Sequence, residues 1–209
     1  MTNPTARPTI FIALDLELEQ PSGEILSVGV AASAASSVSS VISARNFYIT
    51  PSQPVSEYIQ NLTGLKDSDF DFNKSRAECF QEVREWLDEQ FQRAQSLNAR
   101  IHREFVVWGS GDVTRLSDEF VYNTKKMSVR RGLDVKAIAC YKYFEQRGRM
   151  PSGSLGLLSA LSVWDIPEYG VAHNSEADAI NTLKLFGHFV DSSTKLRQNI
   201  TALSQFFTA

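Results

Sequence analysis

Cysteine is scarce: Cys79 and Cys140 are the two thiols in 209 residues. Two cysteines in separate predicted helices argue against a disulfide-stapled scaffold or a cysteine-rich zinc site, and read as reduced core thiols of a cytoplasmic protein. No apolar run approaches the roughly 20 residues that a membrane span needs. Met1 to Pro8 lacks the apolar core of a signal peptide, so no membrane association is expected. Neither a Gly-x-Gly-x-x-Gly turn nor a Walker loop occurs, which sets aside nucleotide-dependent kinases and dehydrogenases. Internal repeats and an extended basic stripe are missing too.

What the chain has is an ordinary core. Hydrophobic residues make up 43%, which excludes a largely disordered polypeptide, and the length suits one α/β domain. That domain is expected over 10–190, after a flexible segment at 1–9 and before a helical tail at 191–209 packed on the body or on a partner. Strands are predicted near 10–18, 25–34 and 40–50, the first two joined as a hairpin across Pro21-Ser22-Gly23. A short helix is expected near Ser56 to Asn61 within an irregular stretch. A long amphipathic helix follows over 75–94, with Ala77, Phe80, Val83, Trp86, Leu87 and Phe91 inward. A strand at 104–108, a helix at 112–125, a strand near 129–135 and helices at 136–147, 154–162 and 175–190 complete the pattern.

Three acidic groups punctuate these elements. Ile10 to Leu14 is an unbroken apolar run, as a buried strand shows, and it leads into Asp15-Leu16-Glu17. Strand alternation puts both carboxylates on one face, where they can grip one hard cation or bridge two. A strand that turns polar as it leaves the core gives the same pattern. Phe105 to Trp108 is a second apolar run, followed by Gly109-Ser110-Gly111 and by Asp112 at the head of a helix with Val113, Leu116 and Phe120 behind it. An acid there also complements the helix dipole, while the glycines let backbone approach a ligand. In the third group Asn174 or Ser175 caps a helix whose Ala177, Ile180, Leu183, Leu185 and Phe186 face inward. His173 stands just before that helix and Asp178 lies one turn inside, which fits a base poised over a metal held by that carboxylate; a surface histidine and an ordinary helix acid give the same pattern.

Convergent carboxylates repel one another, and divalent cations relieve the repulsion. The net charge of −3 is no obstacle to a polyanionic partner, since the four acids account for more than that excess. Lys125, Lys126, Arg130 and Arg131, followed by Arg147 and Arg149, are either a phosphate-holding patch or a solvated loop.

In order and spacing the three groups resemble the DEDDh branch of the DnaQ-like 3′–5′ exonucleases. The family's Asp-x-Glu maps to Asp15 and Glu17, its second Asp to Asp112, and its His-x-x-x-x-Asp to His173 and Asp178. Asn61-Leu62-Thr63-Gly64-Leu65 is similar to the family's Leu-Thr-Gly-Ile segment, and Ser154 to Leu161 to the short helix before the last motif. The likeness spans roughly residues 10 to 190. It implies an α/β, RNase H-like fold, a central mixed five-stranded sheet flanked by helices on both faces. It further implies hydrolysis of nucleic-acid 3′ ends to nucleoside 5′-monophosphates. Asp15, Glu17, Asp112 and Asp178 would hold two Mg²⁺ or Mn²⁺ ions, with His173 as general base. By the same resemblance Leu18, Leu62 and Leu65 are candidates to stack on the terminal bases; simple core packing is the alternative for all three and the favoured one for Leu62. Partners would be single-stranded nucleic acid or 3′ ends, of DNA or RNA, and the resemblance leaves room for a homodimer or a polymerase-type partner.

Where many relatives have Thr or another small residue two positions after the motif's Glu, this chain has Glu19. The reading adopted is that the strand ends at Leu18 and Glu19 turns into solvent with residues 20–23. Trp108 is expected in the core, and His102 and His188 on the surface. Two other functions stay open: a non-catalytic nucleic-acid- or protein-binding module on the same fold, and an unrelated metal-dependent phosphohydrolase.

Overall fold

The computed structural model describes residues 9–34, 37–123 and 132–191. Thr9–Leu18 (β1) and Ile25–Ser33 (β2) form an antiparallel hairpin, and Val41–Tyr48 (β3) continues the sheet antiparallel to β2. Glu57–Thr63 (α1), a 3-10 turn at Asp67–Asp69 and the long helix Arg76–Leu97 (α2) follow. His102–Val107 (β4) then lies parallel to β1 on its free side. Gly111–Asn123 (α3) leads towards Leu133–Asp134 (β5), which pairs parallel to β4. Val135–Arg147 (α4), Leu157–Val163 (α5) and Ser175–Asp191 (α6) complete the described chain. The strand order is β3-β2-β1-β4-β5, a mixed five-stranded sheet.

Alternation along β1 divides the core into two layers. Ile10, Ile12, Leu14 and Leu16 pack with Phe80, Val83, Trp86 and Leu87 of α2 and with Val113 and Leu116 of α3. Phe11 and Ala13 face the other way, onto Val135 and Ala139 of α4, Leu161 of α5, and Ile180, Leu183 and Phe186 of α6. The Phe11 and Phe186 rings meet edge to face, their centroids 5.1 Å apart. Each such side chain, fully buried, contributes about 1.5–3 kcal/mol. The next two odd positions after Ala13 are Asp15 and Glu17, so both carboxylates emerge on the α6 face. β4 stops pairing with β1 at Leu14, opposite Val107, and the two acids therefore occupy the part of β1 that outruns its parallel neighbour.

Ser75 caps α2 in a reciprocal capping box with Glu78, and Gly64 ends α1 in the left-handed conformation. A satellite core of Leu26, Val55, Ile59, Leu65 and Phe70 sits beneath the irregular stretch around α1.

Several boundaries differ from expectation. α2 runs three residues past Ala94, and its buried stripe includes Cys79 and Gln90, whereas Ala77 is half-buried. The helix expected from Ser154 starts only at Leu157, because Ser154 and Leu155 are not helical and Gly156 is an extended N-cap. Of the strand near 129–135, Leu133 and Asp134 are the described part, and Asp134 already caps α4 by accepting from the Ala137 N–H at 3.1 Å. The Phe120 side chain, the basic residues Lys125, Lys126, Arg130 and Arg131, the segment 1–8 and the tail from 192 onward lie outside the described residues. No helix of the described residues is long and apolar enough to cross a membrane.

Candidate metal centre

Three elements meet at the overrunning end of β1. The strand itself supplies Asp15, half-buried, and Glu17, 9% exposed. After β4 the chain turns through Gly109, whose φ of 98° favours glycine, and α3 opens with Asp112 in its first turn. α6, packed on the face of the sheet from which those two carboxylates emerge, brings Asp178. Ligand atoms of Glu17, His173 and Asp178 all lie within 4.8 Å of one another.

The packing of α6 onto β2 sets this convergence. Gly29 stands across the ladder from Asp15, and a Cβ there would run into the backbone of Ser175. The first residue of α6 thus rests directly on the sheet. Its hydroxyl donates to Asn46 Oδ1 of β3 at 2.8 Å and shares a 2.8 Å hydrogen bond with Ser27, the residue opposite Glu17. Asn174 caps the helix by accepting from the Ala177 N–H at 3.1 Å. His173 precedes it in the left-handed region, φ 60°, and its N–H donates to Asp178 Oδ2 at 3.1 Å. The imidazole is exposed.

Electrostatics records the crowding. Burial, then the charges of Asp112, Glu17 and Asp178, push Asp15 well above the usual carboxylate range. Burial, followed by Asp178 and Asp112, raises Glu17 to about 8, and burial lifts Asp112 to about 6. Asp178 is also raised by burial, against the opposing pull of the His173 N–H and ring, while Glu168 adds to the negative field. Neutralising this set with protons or with a hard divalent cation removes the same penalty, and all four groups offer the oxygen donors such a cation takes. The donor set fits a divalent metal.

The five residues expected to act together are thus brought to one edge of the sheet. The apolar candidates separate. Leu18 is half-buried against the α2-side core, and Leu62 on α1 is 40% exposed. Leu65, 7% exposed, packs in the satellite core, whereas α1 turns Leu62 outward. Glu19 does not swing into solvent. Its carboxylate accepts the Ser56 N–H at 2.9 Å and the Ser56 hydroxyl at 2.6 Å, because the turn after Leu18 delivers it to the head of α1. Trp108 is half-buried, packed against the α4–α6 core, His188 is exposed, and His102 opens β4 half-buried. Gly29, Ser27 and Asn46 escaped the sequence reading, in which Ser175 figures only as a possible cap. A glycine inside Val28-Gly29-Val30 was the available signal, since an interior strand glycine marks a close backbone approach.

No family model matches the sequence, and no curated protein does either. Solved structures match in fold. Cell-death related nuclease 4 (CRN-4) superposes with a TM-score of 0.72 at 15% identity, over 89% of this chain and 65% of that one. The nuclease domain of 3'hExo, a DEDDh family member bound to rAMP, gives 0.67 at 14% identity over 88% and 92%. Exonuclease X, in complex with 5' overhanging duplex DNA, gives 0.56 at 10% identity over 88% and 92%. This chain therefore spans just under two thirds of the CRN-4 chain and nearly all of the 3'hExo nuclease domain. These structural neighbours are nucleases, one of them a DEDDh family member, and what this chain shares with them is an α/β, RNase H-like fold.

Proposed function

We propose that this protein is a divalent-metal-dependent 3′–5′ exonuclease that releases nucleoside 5′-monophosphates from nucleic-acid 3′ ends. One observation carries the reading: four carboxylates and a histidine converge at the edge of a sheet whose fold is that of 3′ exonucleases.

Asp15, Glu17, Asp112 and Asp178 are the residues that would hold the metal, Mg²⁺ or Mn²⁺ and two ions by the resemblance. When bound, the ions would neutralise the scissile phosphate and stabilise the charge that builds on the departing 3′ oxygen. The chain's own part is to hold and to move a proton. His173 is exposed to solvent with its backbone fixed on Asp178, so an imidazole nitrogen is free to accept the proton of the attacking water. Asp178 serves twice, as a ligand and as the anchor of the base. Leu18 and the outward-turned Leu62 are the apolar groups left to meet the terminal bases.

The test is incubation with 3′-labelled and 5′-labelled single-stranded DNA and RNA in Mg²⁺, Mn²⁺ or EDTA. Loss of single nucleotides from the 3′ end, abolished by EDTA, is the expected outcome. Intact polymers in every condition would leave a binding module; sparing of polymers with cleavage of free nucleotides would mean a small-molecule phosphohydrolase.

A further inference from the structure

The exposed imidazole sits on a loop held by one face of α6. Asp178, Asn181 and Lys184 recur every three residues along that helix, and each grips a different part of residues 169–173. Asp178 Oδ2 takes the His173 N–H at 3.1 Å. Lys184 Nζ lies 5.4 Å from the centre of the Tyr169 ring. Asn181 is fully buried, and its amide is spent entirely on one residue: Oδ1 accepts the Tyr169 N–H at 2.9 Å and Nδ2 donates to the Tyr169 carbonyl at 3.0 Å.

A buried side chain whose acceptor and donor both bind the backbone of one loop residue fixes that residue in position and orientation. Four residues later the loop must deliver His173 in the left-handed conformation, with Gly170 also at positive φ, 70°. The space is tight, for a Cβ on Gly170 would stand 2.7 Å from the Ala177 Cβ. Asn174 donates to the Val171 carbonyl at 3.3 Å and closes the turn. The segment is pinned at both ends on a single rigid helix, with its strained residues between the pins.

We propose that Asn181 is a positioning residue for the base, clamping Tyr169 so that the 169–173 loop holds His173 over the carboxylates. This rests on the exonuclease reading of the site for its catalytic consequence, but not for its structural one. Misplacing a catalytic group through a supporting contact typically slows a reaction roughly 10- to 100-fold.

Two measurements test it. In the metal-free protein, hydrogen exchange of the 169–174 amides should accelerate at least about tenfold in Asn181→Ala, with β1 and β2 unchanged. Unchanged loop protection, or a uniform loss across the sheet, would overturn the clamp whether or not the protein is a nuclease. The second is a cycle with His173→Ala on single-stranded oligonucleotides. Asn181→Ala should lower kcat by roughly 10- to 100-fold with KM unchanged in the parent, and have no further effect once His173 is gone. An equal loss in both backgrounds would show that Asn181 acts on the fold or the carboxylates instead. Gly170→Ala perturbs the loop independently of Asn181, by pushing its new methyl against Ala177, and should reproduce the same dependence on His173, so the outcome does not hinge on the Asn181 variant alone. Absence of hydrolysis by the parent protein would refute the exonuclease reading while leaving the exchange result to decide the clamp.

Discussion

The carboxylate of Glu19 accepts both the backbone N–H and the hydroxyl of Ser56, at 2.9 and 2.6 Å. Across the same turn Glu24 does the same to Ser52, at 3.0 and 2.9 Å, and is itself paired with Arg76 at 2.9 Å. The hairpin that carries Asp15 and Glu17 is thereby fastened at two points to the segment leading into α1, the helix that presents Leu62. Ser56 is also the N-cap of that helix. The charge at position 19 is a strut between the two walls of the site.

Glu19→Ala should therefore loosen α1 and cost about 1 kcal/mol, the scale of hydrogen bonds to a partly exposed carboxylate. Burial pushes Glu19 up, but the Ser56 hydroxyl and N–H outweigh it and hold the group below its ordinary value of 4.5. A depressed carboxylate stabilises the fold above its unfolded value and loses that contribution as pH falls through the folded one. The Tm gap between parent and variant should be full near neutrality and close in acid, as followed by thermal melts across pH. A gap that persists in acid would mean that Glu19 acts through packing.

Much of the site was legible because its signals are local. Alternation put Asp15 and Glu17 on one face, and the apolar run before Asp112 marked a strand turning into a helix. The pattern Ala177, Ile180, Leu183, Phe186 fixed the buried face of α6, and with it the side on which Asp178 emerges. The rest was not legible because it depends on partners far apart in sequence. Nothing near Glu19 announces Ser56, and nothing near Ser27 announces Ser175. Leu62 and Leu65 lie three residues apart around the end of a two-turn helix, and Gly64 between them reverses the chain, so periodicity alone could not say which would be buried.

Glu17 titrates in the opposite sense to Glu19. Burial, then Asp178 and Asp112, raise it from 4.5 to about 8. A raised carboxylate favours the folded state fully below its unfolded value, and that advantage is lost as pH climbs towards the folded one. Metal-free protein should thus lose Tm as pH rises from about 4.5 to about 8, and Mg²⁺ or Mn²⁺ should restore more of it at the alkaline end. Calorimetry in EDTA and in excess cation checks this. A Tm in EDTA that does not fall over that window would contradict the crowding of the acids.

Asp15→Asn separates stability from activity. Removing one charge from a crowded, desolvated set should raise the Tm of the metal-free protein, by an amount that grows with pH. Hydrolysis should fall to background, because a neutral amide is a poor ligand for a hard cation. A variant that is less stable in EDTA and still active would count against both halves of the prediction.

His173→Asn removes the base while suiting the backbone, since asparagine tolerates the left-handed conformation recorded at 60°. The N–H to Asp178 is retained, so the loop should stay in place and Tm should hold. Rate should drop by about 10²–10⁴, the usual range for loss of a general base. Cation affinity, measured by titration calorimetry, should change little beside that loss. If the rate survives, a group other than the imidazole takes the proton.

Gly29→Ala probes the contact on which the whole convergence depends. The new methyl would enter the backbone of Ser175, and neither side yields easily: β2 is held between two neighbours, and the Ser175 hydroxyl is tied to Ser27 and Asn46. Relief requires α6 to lift from the sheet, at a cost of about 1–3 kcal/mol for overpacking. The lift would carry Asp178 and the anchor of His173 away from Asp15 and Glu17 together. Activity should therefore fall far more than Tm does, and Gly148→Ala supplies the control. A Cβ at Gly148, the C-cap of α4, meets no atom within 4 Å, though its φ of 66° still strains any other residue, so that change should lower Tm without displacing α6. Comparable losses of activity from the two substitutions, at matched loss of stability, would show that the seat of α6 on Gly29 has no special part in assembling the site.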